Sequence, residues 1–229
     1  MGIPPRPPAP TSGQAADVAT AKAMLASIRT YLDEYALEIF DLWFQGKVNG
    51  EVTFDNTKWA NYMRANDQLA RHIDAQLNAY AEIIRSEVDA GSGRLPRPFS
   101  LTTHAEVGSD SGGYSKGYNV LHGSNKAVGD FLITGNLVAL RSGPAGSAYV
   151  VTYNDLVFVF NDIVDANKKY ASDATGLRLA GNLARVLKVG PPKDYTLRIR
   201  WSPVAPKVCQ VGAYSQSQGA TFLKAFPNR

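Results

Sequence analysis

Between Tyr149 and Asp173 the hydrophobic pattern changes twice, and this stretch constrains the fold more than any other. Tyr149, Val151 and Tyr153 alternate with Val150, Thr152 and Asn154, the period of two expected of a β-strand with one covered face. Leu156-Val157-Phe158-Val159-Phe160 is then continuously apolar, which predicts a strand buried on both faces. Asn161-Asp162-Ile163-Val164-Asp165-Ala166-Asn167 follows. Asn and Asp close turns through their own side chains, so the strand is expected to stop at Phe160. Asp173 is placed to cap a helix running to about Lys188.

A buried strand of this kind needs partners, and the flanking sequence supplies them. Phe99–Val107, Phe131–Arg141, Tyr195–Trp201, Lys207–Tyr214 and Ala220–Phe226 also read as strands. Gly143-Pro144-Ala145-Gly146 joins Phe131–Arg141 to the strand that begins at Tyr149. Upstream the period changes to that of helices. Val18, Ala21, Leu25, Ile28, Leu32, Tyr35, Ile39 and Leu42 recur at spacings of three and four, one stripe down a helix over 17–45 that Gly46 stops. Asn49-Gly50 between short β-prone runs carries the signal of a type I′ hairpin. Asn56 or Thr57 then caps a second helix carrying Trp59, Tyr62, Leu69, Ile73, Leu77, Tyr80, Ile84 and Val88, in which Asn66 is a polar interruption.

The expected fold class is therefore α+β: an N-terminal antiparallel helical hairpin packed on a mainly antiparallel β-sheet, with one further helix. Residues 1–16, with five prolines in the first fourteen, are expected to be a disordered tether. Residues 17–91 form the helical hairpin and 92–229 the β-rich part, with 17–229 expected to be one compact unit. The aromatics Phe40, Trp43 and Phe44 exceed what one partner helix needs, and are expected to pack on the sheet.

No apolar run approaches the roughly 18 residues that would span a bilayer, and the N-terminus lacks the apolar core of a signal peptide. The expectation is a protein made soluble, with export by another route left open. Cys209 is the single cysteine, which excludes an internal disulfide, and it is expected to be a buried strand residue. With His72, His104 and His122 it makes no zinc spacing. Neither a phosphate-binding glycine loop nor a nucleophile elbow occurs.

The net charge of +4 is unevenly placed: residues 168–229 hold 11 Lys/Arg and 2 Asp/Glu, so the chain before them is net acidic. The basic quarter suits an anionic partner, and equally suits docking onto the acidic helices. Within it, Arg178 and Arg185 lie seven residues apart on one helix face, placed to bind an anionic substrate near Tyr170. Asp162 and Asp165, three apart at the mouth of a buried strand, suit acid/base chemistry or Mg²⁺ ligation. His104 and His122 adjoin glycine-rich segments, and histidine is the residue type best suited to assist proton transfer near neutrality. Turn closure, helix capping and the helix dipole explain the same Asp and Arg residues without any ligand. Arg198 and Arg200 share one face of the strand Tyr195–Trp201, a pattern that suits a nucleic-acid backbone or simply a wet sheet face.

The run from Phe160 to Asn167, with Tyr170, Asp173, Lys193-Asp194-Tyr195 and Trp201, resembles C-terminal domains of secreted bacterial polymorphic toxins. A long β-hairpin before an aspartate turn is also similar to colicin M-type domains, which cleave lipid II. Val164 stands where that family's motif carries tyrosine, and no histidine follows. The resemblance implies a bacterial effector acting on an anionic, phosphate-containing target, as a phosphodiester-type hydrolase. The alternative expectation is a non-catalytic structural or protein-interaction domain that assembles through its helical hairpin.

Overall fold

A computed structural model of the chain describes residues 33–91, 94–105, 130–164 and 193–213, together with Ala23, Ala26 and Thr30. The fold is α+β, with helices followed by an open, mostly antiparallel sheet. Four helices are described: α1 (Glu34–Gln45), α2 (Thr57–Arg64), α3 (Asp67–Ile83) and α4 (Arg85–Asp89). Six strands accompany them: β1 (Glu51–Phe54), β2 (Arg97–His104), β3 (Asp130–Arg141), β4 (Tyr149–Val164), β5 (Tyr195–Trp201) and β6 (Lys207–Val211). They are hydrogen-bonded in the order β1-β5-β4-β3-β2, and β6 also pairs with β4. The expected Pro-rich tether, the helix at 173–188 and the strand at 220–226 lie outside the described residues.

The chain divides into two compact units. The first comprises 1–52, 106–128 and 162–197; the second comprises 53–105, 129–161 and 198–229. In the first, Asp33 caps α1 by accepting from the amides of Tyr35 and Ala36, so a new helix starts inside the stripe expected to be one helix. Gly46 ends it at φ 60, a left-handed conformation open to glycine. Ile39, Phe40 and Trp43 are buried. The Trp43 indole N–H donates to Asp194 at 3.4 Å and the Tyr195 hydroxyl to the Ile39 carbonyl at 3.0 Å, so α1 lies against the start of β5. Asn49-Gly50 does not close a hairpin. Residues 47–49 are not a strand, and the Gly50 carbonyl instead accepts from Thr196, so β1 pairs with a strand far along the chain.

In the second unit the expected long helix is three helices. Asn66 is not a blemish in a stripe but the N-cap of α3, its side chain accepting from the Leu69 amide at 2.9 Å. It is buried, so the cap satisfies an amide where water could not. Leu69, Ile73, Leu77, Ala81, Ile84 and Val88 face inward as the periodicity required. Each fully buried aliphatic side chain here contributes roughly 1.5–3 kcal/mol. Tyr149 and Tyr153, on β4, donate their hydroxyls to the carbonyls of Ala81 and Leu77, which ties the sheet to the α3 backbone.

β3 and β4 pair in register from Arg141↔Tyr149 to Asn136↔Asn154, and again from Thr134↔Val157 to Phe131↔Phe160. Between them β4 carries one extra residue, a β-bulge. Asp155 sits there at φ 52, and its carboxylate accepts from Asn136 at 3.0 Å. Gly135 opposes it, and a side chain at 135 would stand 2.7 Å from the Asn154 carbonyl oxygen. The bulge shifts the parity of the strand. Tyr149, Val151 and Tyr153 point inward before it; Leu156, Phe158, Phe160, Asp162 and Val164 point inward after it.

Two expectations for β4 need correction. The strand does not stop at Phe160 but continues to Val164. Nor is it buried on both faces, since Val157 and Val159 are only half-buried. The continuous apolar run marks the parity change at the bulge, with one face consistently inward.

Candidate functional site

Of the residues expected to carry chemistry, Asp162 and His104 fall within the described part of the chain. Asp165, Tyr170, Arg178, Arg185 and His122 lie outside it.

Asp162 belongs to the first unit and is a strand residue, not a turn residue. With 5% of its surface exposed it is one of two buried polar side chains among the described residues, the other being the Asn66 cap. Burying a carboxylate is costly unless it is hydrogen-bonded. One of its oxygens accepts from the Ile163 amide at 2.8 Å. Its charge also bears on Tyr195. Burial first, then the carboxylates of Asp162 and Glu38, push the Tyr195 phenol far above its ordinary range. Tyr195 is therefore a neutral donor at all physiological pH.

His104 belongs to the second unit, at the end of β2, where it is exposed. The pKa of His72 is lowered by burial and then by the charge of His104. The His72 Nε2 lies 2.7 Å from the Thr103 hydroxyl and its ring meets Phe131 edge-on, contacts that tie α3 to the sheet. Cys209 is buried on β6, and burial pushes its thiol up, which makes it a poor nucleophile. Among the described residues no group of three or more His, Cys, Asp or Glu is placed to hold a metal ion, and no helix is long and apolar enough to cross a membrane.

The second unit holds a feature that sequence reasoning did not assemble. A cleft of about 380 Å³ is lined by Asp55, Thr57, Ala60, Arg64, Arg200, Trp201 and Ser202. Its residues come from the end of β1, from α2 and from the end of β5. Phe54 stacks on Trp59 at 4.6 Å, and Asn56 caps α2 by accepting from the Trp59 amide, which together place Thr57 at the rim. Trp201 is buried against Phe131 and Phe158, each with its ring centroid 5.6 Å away, and this anchors Arg200 and Ser202. Arg64 is held by two bonds, Nε to the Ser202 carbonyl at 2.8 Å and NH1 to Asn61 at 2.9 Å. The alternation of Arg198 and Arg200 on β5 was the one signal of it in the sequence. On that face Arg198 is engaged by Asn161 at 3.0 Å, whereas Arg200 has no ion pair or hydrogen bond among the described residues.

No family model matches the chain, and no curated protein matches it. A solved structure with similarity to it is that of PaeM, a colicin M-like bacteriocin produced by Pseudomonas aeruginosa. The identity is 13% and the TM-score 0.35, over 77% of this chain and 50% of that chain. The chain thus spans about half the length of that protein. A likeness at this level transfers no residue role.

Proposed function

We propose that the chain is a bacterial effector or toxin-like domain that acts on an anionic, phosphate-containing target as a phosphodiester-type hydrolase. The observation that supports a reactive centre near the end of β4 is Asp162, a buried carboxylate on the strand's inward face, whose other positions there are Phe158, Phe160 and Val164. In this reading Asp162 and Asp165 supply the acid and base, His122 assists proton transfer, and Arg178, Arg185 and Tyr170 bind the target. The toxin-like part of the reading rests on the resemblance of the Phe160–Asn167 run. Expression of the chain in bacteria is expected to inhibit growth, and Asp165→Ala to relieve the inhibition at equal protein level. Full toxicity of a folded Asp165→Ala variant would sink the proposal.

A second reading, a non-catalytic interaction domain, draws support from the outer sheet face of the second unit. Leu140 is 57% and Val208 59% exposed there. Val150 pairs directly with Leu140, and Val208 lies opposite Thr152, so the three form one apolar patch across three strands. Under this reading the Asp165→Ala variant and the wild type behave alike.

A further inference from the structure

The cleft between α2 and the end of β5 combines three features. The first is a cation held in place before any ligand arrives. The bonds from Arg64 to the Ser202 carbonyl and Asn61 fix its guanidinium, and use two of its five N–H donors. No carboxylate pairs with it among the described residues, and it lines the cleft. The second is Arg200, also unpaired among the described residues and lining the same cleft. Two guanidinium groups around one space fit the oxygens of a tetrahedral anion, each offering parallel N–H bonds. The third is Asp55, which lines the cleft with the hydroxyls of Thr57 and Ser202. A carboxylate repels a bare phosphate but accepts hydrogen bonds from the hydroxyls of a polyol.

We propose that this cleft binds a hydroxylated phosphate ester, with Arg64 and Arg200 on the phosphate and Asp55 on a neighbouring hydroxyl. Its volume of about 380 Å³ suits a ligand the size of a small sugar phosphate. Trp201 and Ala60 give the cleft an apolar floor against which the carbon skeleton lies. The site lies wholly in the second unit and asks nothing of Asp162, so it stands or falls apart from the hydrolase reading.

Isothermal titration calorimetry of the full chain tests it with three soluble probes: α-glycerophosphate, inorganic phosphate and glycerol. The expected order is α-glycerophosphate tighter than phosphate, and glycerol without saturable binding. Arg64→Gln and Arg200→Gln are each expected to weaken α-glycerophosphate about tenfold, the scale of one lost charge-assisted hydrogen bond. Asp55→Asn weakens α-glycerophosphate but leaves phosphate unchanged or tighter. Arg198→Gln, on the same strand face but engaged by Asn161, changes nothing. Arg64 and Arg200 are exposed, so both variants are expected to fold, and a thermal melt checks this. Vesicles of phosphatidylglycerol against phosphatidylcholine distinguish a headgroup from a free ester as the source of the phosphate: Arg200-dependent binding to the first supports the site with a lipid ligand. Absence of binding by the wild type to both α-glycerophosphate and the anionic vesicles overturns the proposal, as does unchanged binding by the Arg64→Gln/Arg200→Gln double variant.

Discussion

Gly135→Ala should destabilise the protein although alanine is ordinarily the better strand residue. Gly135 does not have the positive φ that would demand glycine. Replacing a glycine at such a backbone conformation normally stabilises by about 0.4–1 kcal/mol, because the unfolded chain loses freedom. Here the added Cβ would stand 2.7 Å from the Asn154 carbonyl oxygen, 3.1 Å from Leu156 Cδ2 and 3.3 Å from Leu156 Cα. Two of those three atoms are backbone, and the bulge at Asp155 holds them in place through its bond to Asn136. Overpacking of this kind costs about 1–3 kcal/mol. The steric cost outweighs the entropic gain, and the net expectation is a loss of about 1–2 kcal/mol. For a chain of this size that lowers Tm by roughly 2–8 °C. Differential scanning calorimetry of the variant against the wild type reads it directly. A Tm that is unchanged or higher would refute the close approach, and with it the bulge geometry that turns Asp162 inward.

Asn66→Ala, which removes the α3 cap, is expected to cost about 1 kcal/mol by urea denaturation, and Asn66→Ser to retain most of the stability; equal losses from both would show that the cap is not the reason. Asp89 accepts from the Gly146 amide and from Arg141, each at 2.9 Å, with its side chain 25% exposed. The Gly146 amide first, then Arg141 against the opposing pull of burial, hold its carboxyl below the ordinary 3.8. A depressed carboxyl contributes stability that is complete above the unfolded pKa and lost as pH falls through the folded one. Asp89→Asn should therefore lose about 1 kcal/mol at neutral pH and show a shallower acid limb; parallel acid limbs would contradict it. At the other end, burial pushes the Tyr149 phenol up to about 12. Its contribution is complete below the unfolded value of 10.0 and lost as pH rises through about 12. Tyr149→Phe is expected to flatten that alkaline limb while costing about 1 kcal/mol at neutral pH, from the lost bond to Ala81.

Much of the fold was legible in local patterns. Tyr195–Trp201 alternates cleanly and is a strand over those same residues. Leu69, Ile73, Leu77, Ile84 and Val88 keep a helical stripe because they share one core-facing side. What was misread was polar residues whose partners are distant or whose geometry is irregular. Asn161 and Asp162 are turn formers by type, but the parity shift at Asp155 carries them into the strand, and a bulge leaves only a change of period in the sequence. Asn66 looked like a fault because a cap and a break in a stripe are the same letter; only the Leu69 amide tells them apart. β1 pairs with a strand about 140 residues away instead of folding back at Asn49-Gly50, and such a pairing has no local signature. The cleft was invisible for the same reason, since Arg64 and Arg200 meet only through that topology.

The central claim is that Asp162 is a reacting carboxylate. The direct measurement is hydrolysis of bis(4-nitrophenyl) phosphate by the purified wild type and by Asp162→Asn, which preserves the shape and the acceptor for Ile163 while removing the charge. With both proteins melting at comparable temperature, the variant is expected to lose activity by about 10²–10⁴-fold, the scale of a lost general acid or base. Equal rates in the two folded proteins, or no hydrolysis by the wild type, would contradict the account and favour the interaction domain.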